Sequence, residues 1–165
     1  MKKLFLIAAV IFGFAATSFA QNSATATATA TASLLAPITI TNAGNMNFGI
    51  LATSDVAGTA TISTADVLSV ANGVSIVNAG NASAASFTVT GEEDYSFSIT
   101  LPSSHTITDG TNSMTVDNFT SDPDVTGTIS GSTTLNVGAT LNISADQTAG
   151  VYTSATGFDV TVAYN

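Results

Sequence analysis

The chain has 165 residues, of which only 8% are charged, against about 25% in an ordinary soluble domain. Both of its cations, Lys2 and Lys3, sit at the N-terminus, so residues 21–165 hold eleven carboxylates with no Lys or Arg to offset them, a formal charge of −11, and no Cys. That excludes a phosphate-neutralising nucleic-acid or anionic-lipid surface, salt bridges, disulfides, thiol or Schiff-base chemistry and Lys–Asn isopeptide crosslinks, and leaves the hydrophobic core to hold the fold.

The two lysines precede an apolar run from Leu4 to Ala16 and the small-x-small ending Ser18-Phe19-Ala20. This is the pattern of a secretory signal, so residues 1–20 are expected to be removed before Gln21 and the remainder exported without a membrane span.

From Ala24 to Thr41 every even position is apolar (Ala24, Ala26, Ala28, Ala30, Ala32, Leu34, Ala36, Ile38, Ile40) and most odd ones are Thr or Ser. As one strand this stretch would run about 60 Å, well beyond the usual length of roughly 17–20 Å. Pro37 lacks a donor, so the division falls near Leu34–Pro37: residues 21–33 form an Ala/Thr-rich arm, and Ile38–Thr41 enter a domain spanning 34–165 as its first strand. Three readings of the arm follow. It is a low-complexity tether; or it is a donor strand whose Ala24, Ala26, Ala28, Ala30 and Ala32 fill a groove in another subunit; or its Thr-x-Thr rank is an ice-binding face, which needs several ranks where the sequence has one. Against the donor strand, Ala buries little surface at about 25 cal/mol per Å², so its groove must be shallow.

Beyond the arm, period-2 alternation recurs in short segments: Phe87 and Val89; Tyr95 to Leu101; Met114 and Val116; Leu135 and Val137; Leu141 and Ile143; Phe158 to Tyr164. No 3.6 period is sustained. Ser63–Val67 reads as a helical turn or plain loop, Glu92-Glu93-Asp94 as a charged hairpin turn, and Asn72-Gly73 and Asp109-Gly110 as two-residue type I′ hairpin turns. Eight to ten short strands are expected. The fold class is therefore all-β, an Ig-like antiparallel β-sandwich with an extended N-terminal strand or arm, with an up-and-down barrel as the alternative.

Catalytic chemistry is poorly supplied. His105 is the one candidate base and reads as a solvated edge residue, and no Gly-x-Ser-x-Gly elbow exists. Asp117, Asp122 and Asp124, with Asn118, lie close in sequence beside Pro123 and offer hard oxygen ligands for Ca²⁺, although no twelve-residue Ca²⁺ loop is present. Solubilising loop carboxylates are the competing reading. No other cofactor is expected.

The runs Ala36 to Thr41 and Asn45 to Ile50 resemble the opening of a bacterial secreted family, the "domain of unknown function 4402" family. Matches continue in order through Gly58–Ser63, Ala85–Gly91, Tyr95–Pro102, Met114–Phe119, Leu135–Leu141, Ala149–Tyr152 and Val160–Asn165. The resemblance implies an Ig-like sandwich exported by a Gram-negative bacterium to the periplasm, the outer cell surface or the medium, and implies no activity. A looser resemblance is to fimbrial, pilin-like subunits, which pair an N-terminal extension with a C-terminal strand ending in a penultimate Tyr, here Tyr164. This chain has no Cys, and it has Val151-Tyr152 near the place where such subunits usually carry a Gly.

The function expected from all this is a secreted non-enzymatic structural or adhesive surface component, a fimbrial subunit assembling by donor-strand exchange with copies of itself or related subunits. The alternative is a stand-alone extracellular binding module for glycan or Ca²⁺.

Overall fold

A computed structural model describes residues 23–165; the signal segment and its cleavage before Gln21 lie outside the described residues. Residues 23–33 form neither strand nor helix, and every residue from Ser23 to Pro37 is exposed. The first strand begins just past Pro37, as the missing donor demands.

Residues 34–165 form one compact unit of twelve strands: β1 (Thr39–Gly44), β2 (Ile50–Ala52), β3 (Gly58–Ile62), β4 (Leu68–Asn72), β5 (Ser75–Asn78), β6 (Ala85–Thr90), β7 (Ser96–Thr100), β8 (Ser104–Thr108), β9 (Ser113–Asp122), β10 (Thr126–Thr128), β11 (Ser132–Ile143) and β12 (Thr161–Tyr164). All pairings are antiparallel. The expected Ig-like sandwich is present, and its sheets stay open at their edges rather than closing into a barrel.

The large sheet is organised by β11. Its first half, Ser132–Val137, pairs with β6, its second half, Ala139–Ile143, pairs with β3, and β9 runs along Asn136–Asn142. The sequence suggests two strands here, Leu135/Val137 and Leu141/Ile143; the structure joins them into one. Gly138 makes this continuity possible: a Cβ there would collide with the Ile62 carbonyl and lie 2.9 Å from the Ser63 carbonyl carbon. Alternation persists through it, with Leu135, Val137, Ala139, Leu141 and Ile143 all buried. On the other face Thr side chains pair across strands, Thr61 with Thr140 at 3.0 Å and Thr39 with Thr90 at 2.7 Å.

The second layer is β10-β7-β12 plus a separate two-stranded ribbon, β2-β5. Under the first lies a core of Phe87, Val89, Phe97, Ile99, Ile129, Leu135 and Val137. Each such side chain contributes about 1.5–3 kcal/mol by leaving water. A second cluster, Ala60, Val74, Val116, Ala139, Leu141 and Ile143, is covered by Met46, Phe48 and Leu51.

Three turn expectations need correction. Asn72 does adopt a left-handed φ of 57°, but β4 pairs with β3 and β5 with β2, so Asn72-Gly73 passes the chain from one sheet to another rather than closing a hairpin. Glu92–Asp94 likewise carries the chain from β6 in the large sheet to β7 in the second layer. Asp109-Gly110 does lie in a hairpin, but Thr108 pairs with Ser113, so the loop is Asp109–Asn112, four residues rather than two. Local dipeptide chemistry set the bends, and the choice of partner strand was made by long-range packing. Ser63–Val67 is plain loop joining the β3–β4 hairpin, closed by Ser63 N–H to the Val67 carbonyl at 3.0 Å.

Candidate functional site

A cleft of about 1210 Å³ borders the inner face of the large sheet. That exceeds the roughly 300–1,000 Å³ of a small-molecule pocket. Of the sheet residues that line it, Ala85 and Phe87 of β6, Val116 of β9 and Leu141 and Ile143 of β11 are buried, and His105 and Ile107 of β8 and Met114 of β9 are half-buried. One lip is the chain from Met46 through β2 to Thr53; the other is residues 147–154 with Gly157 and Phe158.

Each lip is held by a few bonds. Asn47 exchanges both backbone hydrogen bonds with Ser83, at 2.9 and 2.8 Å, and its Oδ1 accepts from the Gly49 amide at 2.8 Å. On the far lip Thr153 and Thr108 exchange two backbone bonds at 2.9 Å. There the Tyr152 hydroxyl donates to the Thr148 carbonyl at 2.7 Å and accepts from Gln147 Nε2 at 2.9 Å. Phe158 anchors the lip to the floor, its ring 5.0 Å from that of Phe119, 6.1 Å from His105 and 6.4 Å from Phe87.

In a chain with eleven carboxylates, none lines the cleft. Its polar groups are carboxamides (Asn42, Asn45, Asn47, Gln147), hydroxyls and His105. His105 Nε2 lies 3.0 Å from Ser154 Oγ. Such a contact is half of a nucleophile–base arrangement; the third member that orients the base has no carboxylate to supply it in this lining. Sequence spacing did not bring Ser154 to His105, because forty-nine residues separate them.

The Ca²⁺ candidates sit elsewhere. Asp117 pairs across to Thr140 and Asp122 to Asn136, five residues apart on one strand and hence roughly 16 Å. Asp124 follows in the next loop, and the Asp117 Oδ1 accepts from Asn118 Nδ2 at 3.1 Å. Among the described residues no group of three or more His, Cys, Asp or Glu gathers where a metal ion could be held. The carboxylate with the most distinctive surroundings is Asp109, which sequence reading treated only as a turn residue. The Asn112 side chain and the Asn112 and Thr111 amides, at 3.0, 2.6 and 2.8 Å, hold its pKa down at about 2. It fixes the β8–β9 loop against Gly150, at the base of the far lip.

The arm residues Ala24, Ala26, Ala28, Ala30 and Ala32 are all exposed. Their root is fixed to the sandwich: the Ala36 amide donates to Glu92 Oε2 at 3.1 Å, and the Tyr164 hydroxyl donates to the Ala36 carbonyl at 2.8 Å. The Tyr164 oxygen also accepts from the Glu92 amide at 2.7 Å. Gly91 leaves room for it, since a Cβ there would collide with that oxygen.

A family model described as "Domain of unknown function (DUF4402)" matches residues 38–164. The chain belongs to this family. The match to the DUF4402 family begins after the arm and takes in the whole sandwich with its cleft. No curated protein and no solved structure matches the chain. The family description assigns no activity, so function rests on the chemistry of the cleft and the arm. Among the described residues no helix is long and apolar enough to cross a membrane.

Proposed function

We propose that this DUF4402 protein is a secreted, non-enzymatic structural component of a bacterial surface, whose N-terminal arm serves as an intermolecular strand joining subunits. The observation that carries this reading is the arm itself. It is eleven described residues, Ser23–Ser33, without a charge, in Ala/Thr alternation, wholly exposed, in no strand, and ahead of the matched domain. A pure tether needs neither alternation nor the absence of charge; a strand added to a sheet needs both faces defined and no ion to desolvate.

Electron microscopy and size-exclusion chromatography of the protein recovered from the producing cells test it. Ordered oligomers or filaments are expected from chains whose intact mass begins at Gln21, and Ala28→Asp/Ala30→Asp should reduce them to monomers while Thr27→Ser/Thr29→Ser leaves them intact. Wild-type monomers at high concentration would overturn the reading. They would favour a second one, a stand-alone binding module, for which the uncharged cleft with its carboxamides and Tyr152 suits a neutral glycan better than Ca²⁺.

A further inference from the structure

We infer that the cleft binds a single uncharged aliphatic molecule, of the class of a straight-chain alcohol or ester: an apolar body with one small neutral polar end. The inference does not use the arm and holds whether or not subunits assemble.

Three observations carry it. First, the cleft offers apolar surface from its mouth inward. The second core cluster is covered by Met46, Phe48, Leu51, Ile107 and Met114, which pack against it yet remain only half-buried themselves. All five line the cleft. Each lip adds an aliphatic side chain left in water, Ile50 at 59% exposure on one and Val151 at 82% on the other. Single exposed aliphatics are ordinary, but these border one concavity whose covering layer is itself half-open, and a ligand that removes both from water is favoured. The volume of the cleft, above that of a pocket for a compact ligand, suits an extended chain.

Second, the most adaptable apolar side chain is concentrated here. Residues 21–165 contain two methionines, Met46 and Met114, and both line the cleft, one from the lip before β2 and one from β9. An unbranched thioether moulds itself to a flexible chain. A sugar is held instead by flat aromatic faces and many directional polar partners. The aromatic side chains of the far lip are already engaged: Phe158 packs on Phe119, Phe87 and His105, and the Tyr152 hydroxyl is bonded twice within its own lip.

Third, the polar groups of the lining are spent largely on one another, and charge excludes ions. Asn42 Nδ2 donates to Asn45 Oδ1 at 3.3 Å, Asn47 Oδ1 accepts from the Gly49 amide, Gln147 Nε2 donates to the Tyr152 hydroxyl, and His105 Nε2 meets Ser154 Oγ. What remains of their bonding capacity suits one hydroxyl or carbonyl group. An anionic ligand is opposed by the −11 of residues 21–165, which hold no Lys or Arg to receive it. A cationic ligand finds no carboxylate in the lining. A neutral molecule meets neither penalty.

The probe is N-phenylnaphthylamine, a neutral dye that fluoresces on leaving water, added at pH 8 to the protein recovered from the producing cells. Saturable binding at one site per chain is expected, with displacement by decanol. Decanoate, the same chain ending in an anion, and maltotriose should each displace the dye about tenfold less well or worse. Ile50→Asp and Val151→Asp place a carboxylate at the mouth and should each weaken the dye by about tenfold, while Val67→Asp, at a 60% exposed valine outside the lining, leaves it unchanged. Circular dichroism checks that each variant is folded. Weakening by all three variants or by none would show that the dye coats apolar surface in general, and overturns the inference. Preferential displacement by maltotriose overturns it in favour of a glycan site, and equal displacement by decanoate shows that charge does not select the ligand. Flotation with phosphatidylcholine vesicles, without any dye that decanol displaces, would assign the exposed aliphatics to a membrane surface. Each of these failures leaves the proposed assembly untouched, and a wild type that stays monomeric leaves the dye result untouched.

Discussion

Replacing Tyr164 by Phe deletes a single oxygen, and that oxygen ties together three parts of the sandwich: the end of β12, the turn after β6 and the root of the arm. It accepts from the Glu92 amide at 2.7 Å and donates to the Ala36 carbonyl at 2.8 Å. The ring keeps its edge-on packing, 6.1 Å from Tyr95, so the change isolates the hydrogen bonds. Each neutral bond is worth about 0.5–1.5 kcal/mol net. Ala36 is exposed and water replaces part of what is lost there, which sets the expected loss at about 1–2 kcal/mol. For a body spanning residues 34–165, each kcal/mol moves the melting temperature by roughly 3–5 °C, a fall of about 3–10 °C in all. Urea unfolding should show the midpoint lowered with the slope unchanged, since no surface is newly exposed. Tyr95→Phe is the control: its side chain is 46% exposed and its hydroxyl makes no hydrogen bond within the described residues, so it should be nearly silent. A Tyr164→Phe protein as stable as wild type would show that the pole is not held by this oxygen.

Four other outcomes are expected. Asp109 has its pKa held down at about 2 against an ordinary 3.8, so its contribution is complete above pH 4 and fades as pH falls through 2. The melting-temperature gap between wild type and Asp109→Asn should therefore close across that window and be flat from pH 5 to 8. Gly138→Ala forces β11 away from the Ile62–Thr64 turn and should destabilise by about 1–3 kcal/mol in chemical denaturation; a neutral result would mean that the turn moves freely. Ca²⁺ should raise the melting temperature no more than NaCl at equal ionic strength, because Asp117, Asp122 and Asp124 lie in no metal-holding cluster; a Ca²⁺-specific rise abolished by Asp122→Asn would reverse this. Assembly measured by light scattering should strengthen from 10 to 150 mM NaCl, as screening shortens from about 30 to about 8 Å between bodies of like charge; weakening with salt would point to an ionic interface.

Strand identity was legible because burial on one face imposes a period of two, and Phe87/Val89, Met114/Val116 and Leu141/Ile143 all carry it into the core. The break at Pro37 was equally readable, since it rests on a missing N–H. Partner choice was not. Asn72-Gly73 has the chemistry of a hairpin turn and bends as one, yet its two strands belong to different sheets. Nothing within four residues encodes that difference, because it depends on whether Val74 packs beneath β2 with Ala60 and Leu141. Gly138 shows the converse: a glycine in an alternating run reads as a break, and here it permits a close approach by the neighbouring turn.

The cleft illustrates why a site can be less legible than a fold. Its residues come from six strands and two irregular lips, and none belongs to a motif. What the sequence did show was the uncharged alternating arm. The cleft is a negative pattern in three dimensions: eleven carboxylates placed so that none lines it. With no Lys or Arg among 21–165, contacts between copies have no Lys or Arg ion pairs to draw on, and like charge opposes approach wherever carboxylates face each other. Surfaces free of charge are then the places where two copies meet at least cost. Residues 23–33 and the cleft lining are two stretches free of carboxylates.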